Sequence, residues 1–111
     1  MNYTEIHDKV IAFREERNWK QFHQIKDLLL ALNIEAAELQ ELFLWKDKEQ
    51  QEKINREEMK DELADIAIYL IYISEHFGID LLDAINKKVD KNAIKYPVEK
   101  SFNSNKKYNE L

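Results

Sequence analysis

The sequence contains no cysteine, so disulfides and thiolate metal sites are excluded, and a reducing compartment is compatible with it. It contains one glycine and one proline. A sheet protein built on tight hairpins needs more of both, so a helical fold is favoured before any pattern is read. Positive charge is also in deficit, with a formal net charge of −5. Binders of a nucleic-acid backbone are usually basic, so no polynucleotide partner is expected. The longest unbroken apolar run, Ile66 to Ile73, falls far short of the roughly 20 residues that span a bilayer. The opening Met-Asn-Tyr-Thr-Glu-Ile-His-Asp has no apolar segment of the signal-peptide kind. These absences together lead us to expect a cytoplasmic protein with no membrane association.

What is present is 44% apolar and 35% charged in 111 residues, a folded composition the size of one domain. Asn2 or Thr4 can cap a first helix that runs to about Arg17, with Val10, Ile11 and Phe13 on its apolar side. A link from Asn18 to Gln24 carries Trp19, Phe22 and His23, unusually aromatic for a connector. A second helix is expected from Ile25 to Trp45, then an exposed linker or frayed end over Lys46–Lys53. Asn55, with Glu58 three residues on, resembles a capping box and opens a third helix reaching about Phe77. Gly78 stops it, Asp80 caps a fourth helix running to Lys95, and Pro97 forbids continuation. Val98–Leu111 reads as an irregular polar tail that Phe102, Tyr108 and Leu111 could pin. The expected architecture is all-α, a four-helix bundle in one domain over residues 1–111, with its core in 5–97.

Two of these helices carry acids where acids are costly. Between Leu28 and Leu39 the only polar residues are Asn33, Glu35 and Glu38. A helix apolar on every side is normally buried. Glu35 and Glu38 lie three apart, which sets their Cβ atoms about 5–6 Å from each other on one face. The third helix repeats the arrangement with Glu62 and Asp65, and Tyr69 follows one turn later. Unpaired charges in such a setting are unfavourable unless a cation joins them. All-oxygen ligation suits Mg²⁺ or Mn²⁺. A di-iron carboxylate bundle would need Glu-x-x-His, and none of His7, His23 and His76 has a Glu three residues before it. On the fourth helix Lys88, Asn92 and Lys95 share a face beside Tyr96, a set that can grip phosphate oxygens or simply be solvated. Trp19, Trp45 and Tyr69 can wall in a nucleobase, and His23 can contact the base or a phosphate. Together these features suggest a phosphorylated ligand that bears a base.

The segments Arg17-Asn-Trp-Lys-Gln-Phe-His-Gln24, Leu28-Leu-Leu-Ala-Leu32, Glu35-x-x-Glu-Leu39, Leu42-Phe-Leu-Trp-Lys46, Glu62-Leu-Ala-Asp-Ile66, Tyr69-Leu70 and Lys88-x-x-x-Asn-x-x-Lys-Tyr-Pro97 resemble the MazG-like all-α nucleotide pyrophosphohydrolases. The likeness is closest to their dCTP pyrophosphatase branch and covers nearly the whole chain. It implies Mg²⁺-dependent cleavage of a nucleoside triphosphate between its α and β phosphates, giving the monophosphate and pyrophosphate. It implies Glu35, Glu38, Glu62 and Asp65 as metal ligands, with Glu38 our choice for the catalytic base. Trp19, His23, Trp45 and Tyr69 match positions around base and sugar, and Lys88, Asn92, Lys95 and Tyr96 a phosphate-binding face. It also implies a homodimer or homotetramer with sites built at subunit contacts. Where many members carry Glu-Glu-x-x-Glu, this chain has Ile34 in place of the first acid. The alternative from another class is a catalytically silent nucleotide-binding or helical oligomerisation module.

Overall fold

The computed structural model describes residues 1–111 and contains helices and turns without a strand. The chain forms two compact units, Met1–Gly78 and Ile79–Leu111. The first holds α1 (Tyr3–Glu16), a 3₁₀ turn (Lys20–Phe22), α2 (Ile25–Glu41), the one-turn α3 (Lys48–Gln51) and α4 (Arg56–His76). The second holds α5 (Leu81–Lys95), the short α6 (Val98–Ser101) and a 3₁₀ turn at Tyr108–Glu110. No helix is long and apolar enough to cross a membrane.

The ends of these helices follow from local chemistry. Asn2 accepts the Glu5 N–H at 2.9 Å and so caps α1. The other end of α1 closes with Asn18 at φ 54°, a conformation that asparagine tolerates better than most residues. The Asn18 N–H reaches Glu15 O at 3.0 Å and the Trp19 N–H reaches Arg14 O at 3.1 Å, which is the paired Schellman pattern. Asn55 accepts from the N–H groups of Glu57 and Glu58, and Asp80 from that of Asp83. Gly78, at φ +65°, follows the end of α4 as expected.

Helix α2 stops at Glu41, short of the expected Trp45. Successive N–H groups at Leu42, Phe43 and Leu44 bond three residues back, tightening the chain, and Trp45 lies at φ 62°, where no α-helix continues. The linker is exposed as expected but contains α3. Asp47 and Gln50 cap it reciprocally, with Gln50 N–H to Asp47 at 2.8 Å and Asp47 N–H to Gln50 at 2.9 Å.

In the first unit α4 packs chiefly along α2 and also meets α1. Leu28, Ile71 and Tyr72 are its buried hydrophobic residues. The Ser74 hydroxyl is satisfied by the carbonyls of Leu70 and Ile71, so its burial adds no unpaired group. The outer sides of α2 and α4 remain open: Leu30 is 58%, Ile34 49% and Leu63 52% exposed. In the second unit Tyr108 lies edge-on to Tyr96, and Lys95 Nζ stands 5.0 Å from its ring centroid. Of the three expected anchors in the tail, Phe102 is exposed and Leu111 half-buried.

Candidate metal and nucleotide site

Pairing α2 with α4 brings together the acids that each helix carries singly. One carboxylate oxygen from each of Glu35, Glu62 and Asp65 lies within 4.8 Å of the others. Glu35 and Glu62 are half-buried, and the Oε2 atom of each is sequestered with no hydrogen-bond partner. No lysine, arginine or histidine forms an ion pair with Glu35, Glu38, Glu62 or Asp65. The missing cation therefore appears in proton affinity. Glu35 is pushed up to about 7, first by the hydrogen bond that its protonated carboxyl can donate to Glu62, then by burial and by Glu38 and Asp65. Glu62 is raised as well: its hydrogen bond with Glu35 pulls it down, but burial and the carboxylates of Glu38 and Asp65 outweigh that pull. Glu38 is exposed and stands outside the group of three, yet close enough to act on both.

Two orphaned buried oxygens, an all-oxygen donor set and no protein cation fit a hard divalent ion. Such an ion would take the place of the proton that the cluster otherwise attracts.

Asp65 belongs also to a pocket of about 410 Å³, lined by Lys9, Val10, Phe13, Trp19, His23, Asp65, Ile68, Tyr69 and Tyr72. Its volume lies in the range of small-molecule sites, and its walls are mostly apolar and aromatic with few polar groups. The Trp19 ring meets Phe13 edge-on at 5.7 Å, and the Arg17 guanidinium lies 3.7 Å from the Phe13 centroid. On the other side Tyr72 stands 6.2 Å from Tyr69 and 4.8 Å from His23. His23 Nδ1 is buried without a partner. Burial, then the Arg14 charge, lowers its proton affinity and favours the neutral ring. Burial, then the charges of Glu35, Asp65 and Glu38, raises Tyr69, so it stays a hydroxyl donor.

The expected site residues thus separate into groups. Glu35, Glu62 and Asp65 come together, and Trp19, His23 and Tyr69 share a pocket with Asp65. Trp45 is 91% exposed and borders a separate shallow depression with Leu44 and Phe43. Lys88, Asn92, Lys95 and Tyr96 belong to the second unit, where Lys88 and Asn92 flank a depression on α5. Five lining residues lie beyond the expected set, and Ile68, like Tyr72, sits in the apolar run of α4. Val10 and Phe13 read as ordinary core positions of α1, Tyr72 lies one turn beyond Tyr69, and Lys9 had no signal.

The sequence model of the MazG-like family matches residues 30–111. The dCTP pyrophosphatase 1 of Bos taurus is 42% identical over 104 residues, covering 89% of this chain and 62% of that protein. The human dCTP pyrophosphatase 1 is 39% identical over 104 residues, with 89% and 61% covered. The chain thus spans about three fifths of the length of these curated relatives. The crystal structure of a pyrophosphatase from Archaeoglobus fulgidus superposes with a TM-score of 0.80 at 33% identity, covering 85% of this chain and 91% of that one. A paired-helix scaffold with acids at its seam, a family match over most of the chain and a fold shared at this identity lead to one assignment: the chain belongs to the MazG-like family.

Proposed function

We propose that residues 1–111 act as one nucleotide pyrophosphohydrolase domain, converting a nucleoside triphosphate to its monophosphate and pyrophosphate. The preferred substrate in this reading is dCTP or a modified cytosine nucleotide, and the role is sanitation of the nucleotide pool in the cytoplasm. The observation that carries it is the position of Asp65, shared between the carboxylate cluster and the aromatic pocket. A phosphate chain at the acids and a base in the pocket would be neighbours. The relatives named dCTP pyrophosphatase 1 support the choice of base.

Glu35, Glu62 and Asp65, with Glu38 beside them, would hold Mg²⁺, and Mn²⁺ suits the same donors. When bound, the ion supplies positive charge to the phosphate oxygens and lowers the pKa of water. Glu38, exposed beside the cluster, would accept the proton of the attacking water. The water oxygen bonds to the α phosphorus, the bond from that phosphorus to the α–β bridging oxygen breaks, and pyrophosphate leaves with the electron pair. Trp19, Tyr69 and the neutral His23 ring would pack on the base and sugar, with Trp45 as a further aromatic wall. Lys88, Asn92, Lys95 and Tyr96 carry donors and positive charge of the kind that phosphate oxygens take. The open apolar sides of α2 and α4 support a homodimer or homotetramer.

The test is pyrophosphate release from a panel of deoxynucleoside and nucleoside triphosphates with and without Mg²⁺. The proposal expects release that needs the ion and is fastest with dCTP or a cytosine derivative. Binding without release from any nucleotide would point instead to a silent nucleotide-binding module.

A further inference from the structure

Arg14 is 3% exposed, the deepest charge in the first unit, and takes no part in the chemistry above. Its Nη2 and Nε bond Glu15 at 2.6 and 3.0 Å, and its Nη1 bonds Glu75 Oε2 at 3.0 Å, tying α1 to α4. The guanidinium carbon lies 5.6 Å from the centre of the Tyr72 ring. Tyr72 precedes Glu75 by three residues, so one face of α4 offers Arg14 both a carboxylate and a ring. On its other side Tyr72 meets His23 at 4.8 Å with the rings tilted at 51°, and both line the pocket. The Arg14 carbonyl also accepts the Trp19 N–H at 3.1 Å, fixing the start of the link that carries His23.

A buried ion pair is a poor source of stability, because apolar residues of the same volume often serve as well or better. Its directional bonds do fix orientation. We propose that Arg14 is a positioning residue for nucleotide binding, holding the His23 ring against the pocket through Tyr72. The proposal rests on the function proposed above. The groups that face His23 are Arg14 and Glu15 on α1 and Tyr72 on α4, with Lys9, Tyr69 and Asp65 around the same pocket.

The test compares Arg14→Met with the native chain in steady-state dCTP hydrolysis and in proton NMR of the His23 ring. A companion Arg14→Met/Glu75→Gln also removes the carboxylate charge that the single change would strand, which guards against misfolding. Arg14 acting through His23 predicts a KM raised about tenfold with kcat changed less than about threefold. The ring-current shift that Tyr72 imposes on the His23 protons should shrink. In a His23→Ala background the same substitution should leave KM within about twofold. An unchanged His23 shift, or an equal rise in KM with and without His23, would overturn the proposal. The NMR reading is made without nucleotide. Failure to hydrolyse any triphosphate would defeat the proposed reaction, while the His23 shift still decides whether Arg14 holds that ring.

Discussion

Glu35 of α2 and Glu62 of α4 face one another with one sequestered oxygen each, and neither oxygen has a donor. Each helix alone would carry an awkward acid. The pair makes a place where a proton or a metal ion must arrive.

The first consequence concerns pH. Glu35 rises from an ordinary value of 4.5 to about 7 in the folded, metal-free chain. Between those values the folded state holds more protons than the unfolded state. The contribution from Glu35 is therefore fully present below pH 4.5 and is lost as pH rises through about 7. Calorimetry in a chelator should show the melting temperature falling over this window, after allowance for other groups, and Glu35→Gln should flatten the slope.

A second consequence is coupling of metal and stability. Mg²⁺ or Mn²⁺ at one hundred times its Kd should stabilise the fold by about 2.7 kcal/mol. It should also release protons below about pH 7, because ion and proton compete for the same oxygens. Glu62→Gln should greatly reduce both effects in thermal melts and in titration calorimetry run in buffers of different ionisation enthalpy.

Trp19 is 43% exposed, and its ring helps to wall the pocket. Trp19→Ala should cost the bound nucleotide about 1–3 kcal/mol of stacking, seen as weaker affinity for a non-hydrolysable dCTP analogue. Circular dichroism should report little change in helix content, since Trp19 lies in the link outside α1 and α2.

The exposed Leu30 and Leu63 lie on the outer sides of the helices that bear the acids. The native chain should sediment as a dimer or tetramer at micromolar concentration. Leu30→Glu with Leu63→Glu should shift it toward monomer, since interface cores are depleted of charge.

Much of this organisation is legible in the sequence. Asn55, Gly78, Asp80 and Pro97 punctuate the chain where their chemistry requires, because capping is a local matter. The acids of α2 and α4 stand out because their neighbours are apolar, so the cluster could be anticipated before the pairing was known. The end of α2 was less legible. Leu42, Phe43 and Leu44 carry a helical apolar pattern, and nothing local forecasts the positive φ of Trp45. The short α3 had a usable signal in Asp47 and Gln50, a capping box in which Gln serves as the third residue. Arg14 was invisible: one arginine among several charges on α1 gives no sign of burial until α4 supplies Glu75 and Tyr72. The apolar girth of α2 and α4 exceeds what the single chain hides, since Leu30, Ile34 and Leu63 stay open in it.

The most direct test of the central claim is the rate of pyrophosphate release from dCTP with saturating Mg²⁺, in the native chain and in Asp65→Asn. Asp65 is the residue common to the acid cluster and the pocket. The account predicts equimolar dCMP and pyrophosphate from the native chain and a rate lower by about 10²-fold or more in the variant, the scale of losing one electrostatic stabiliser. Undiminished release from Asp65→Asn would contradict it.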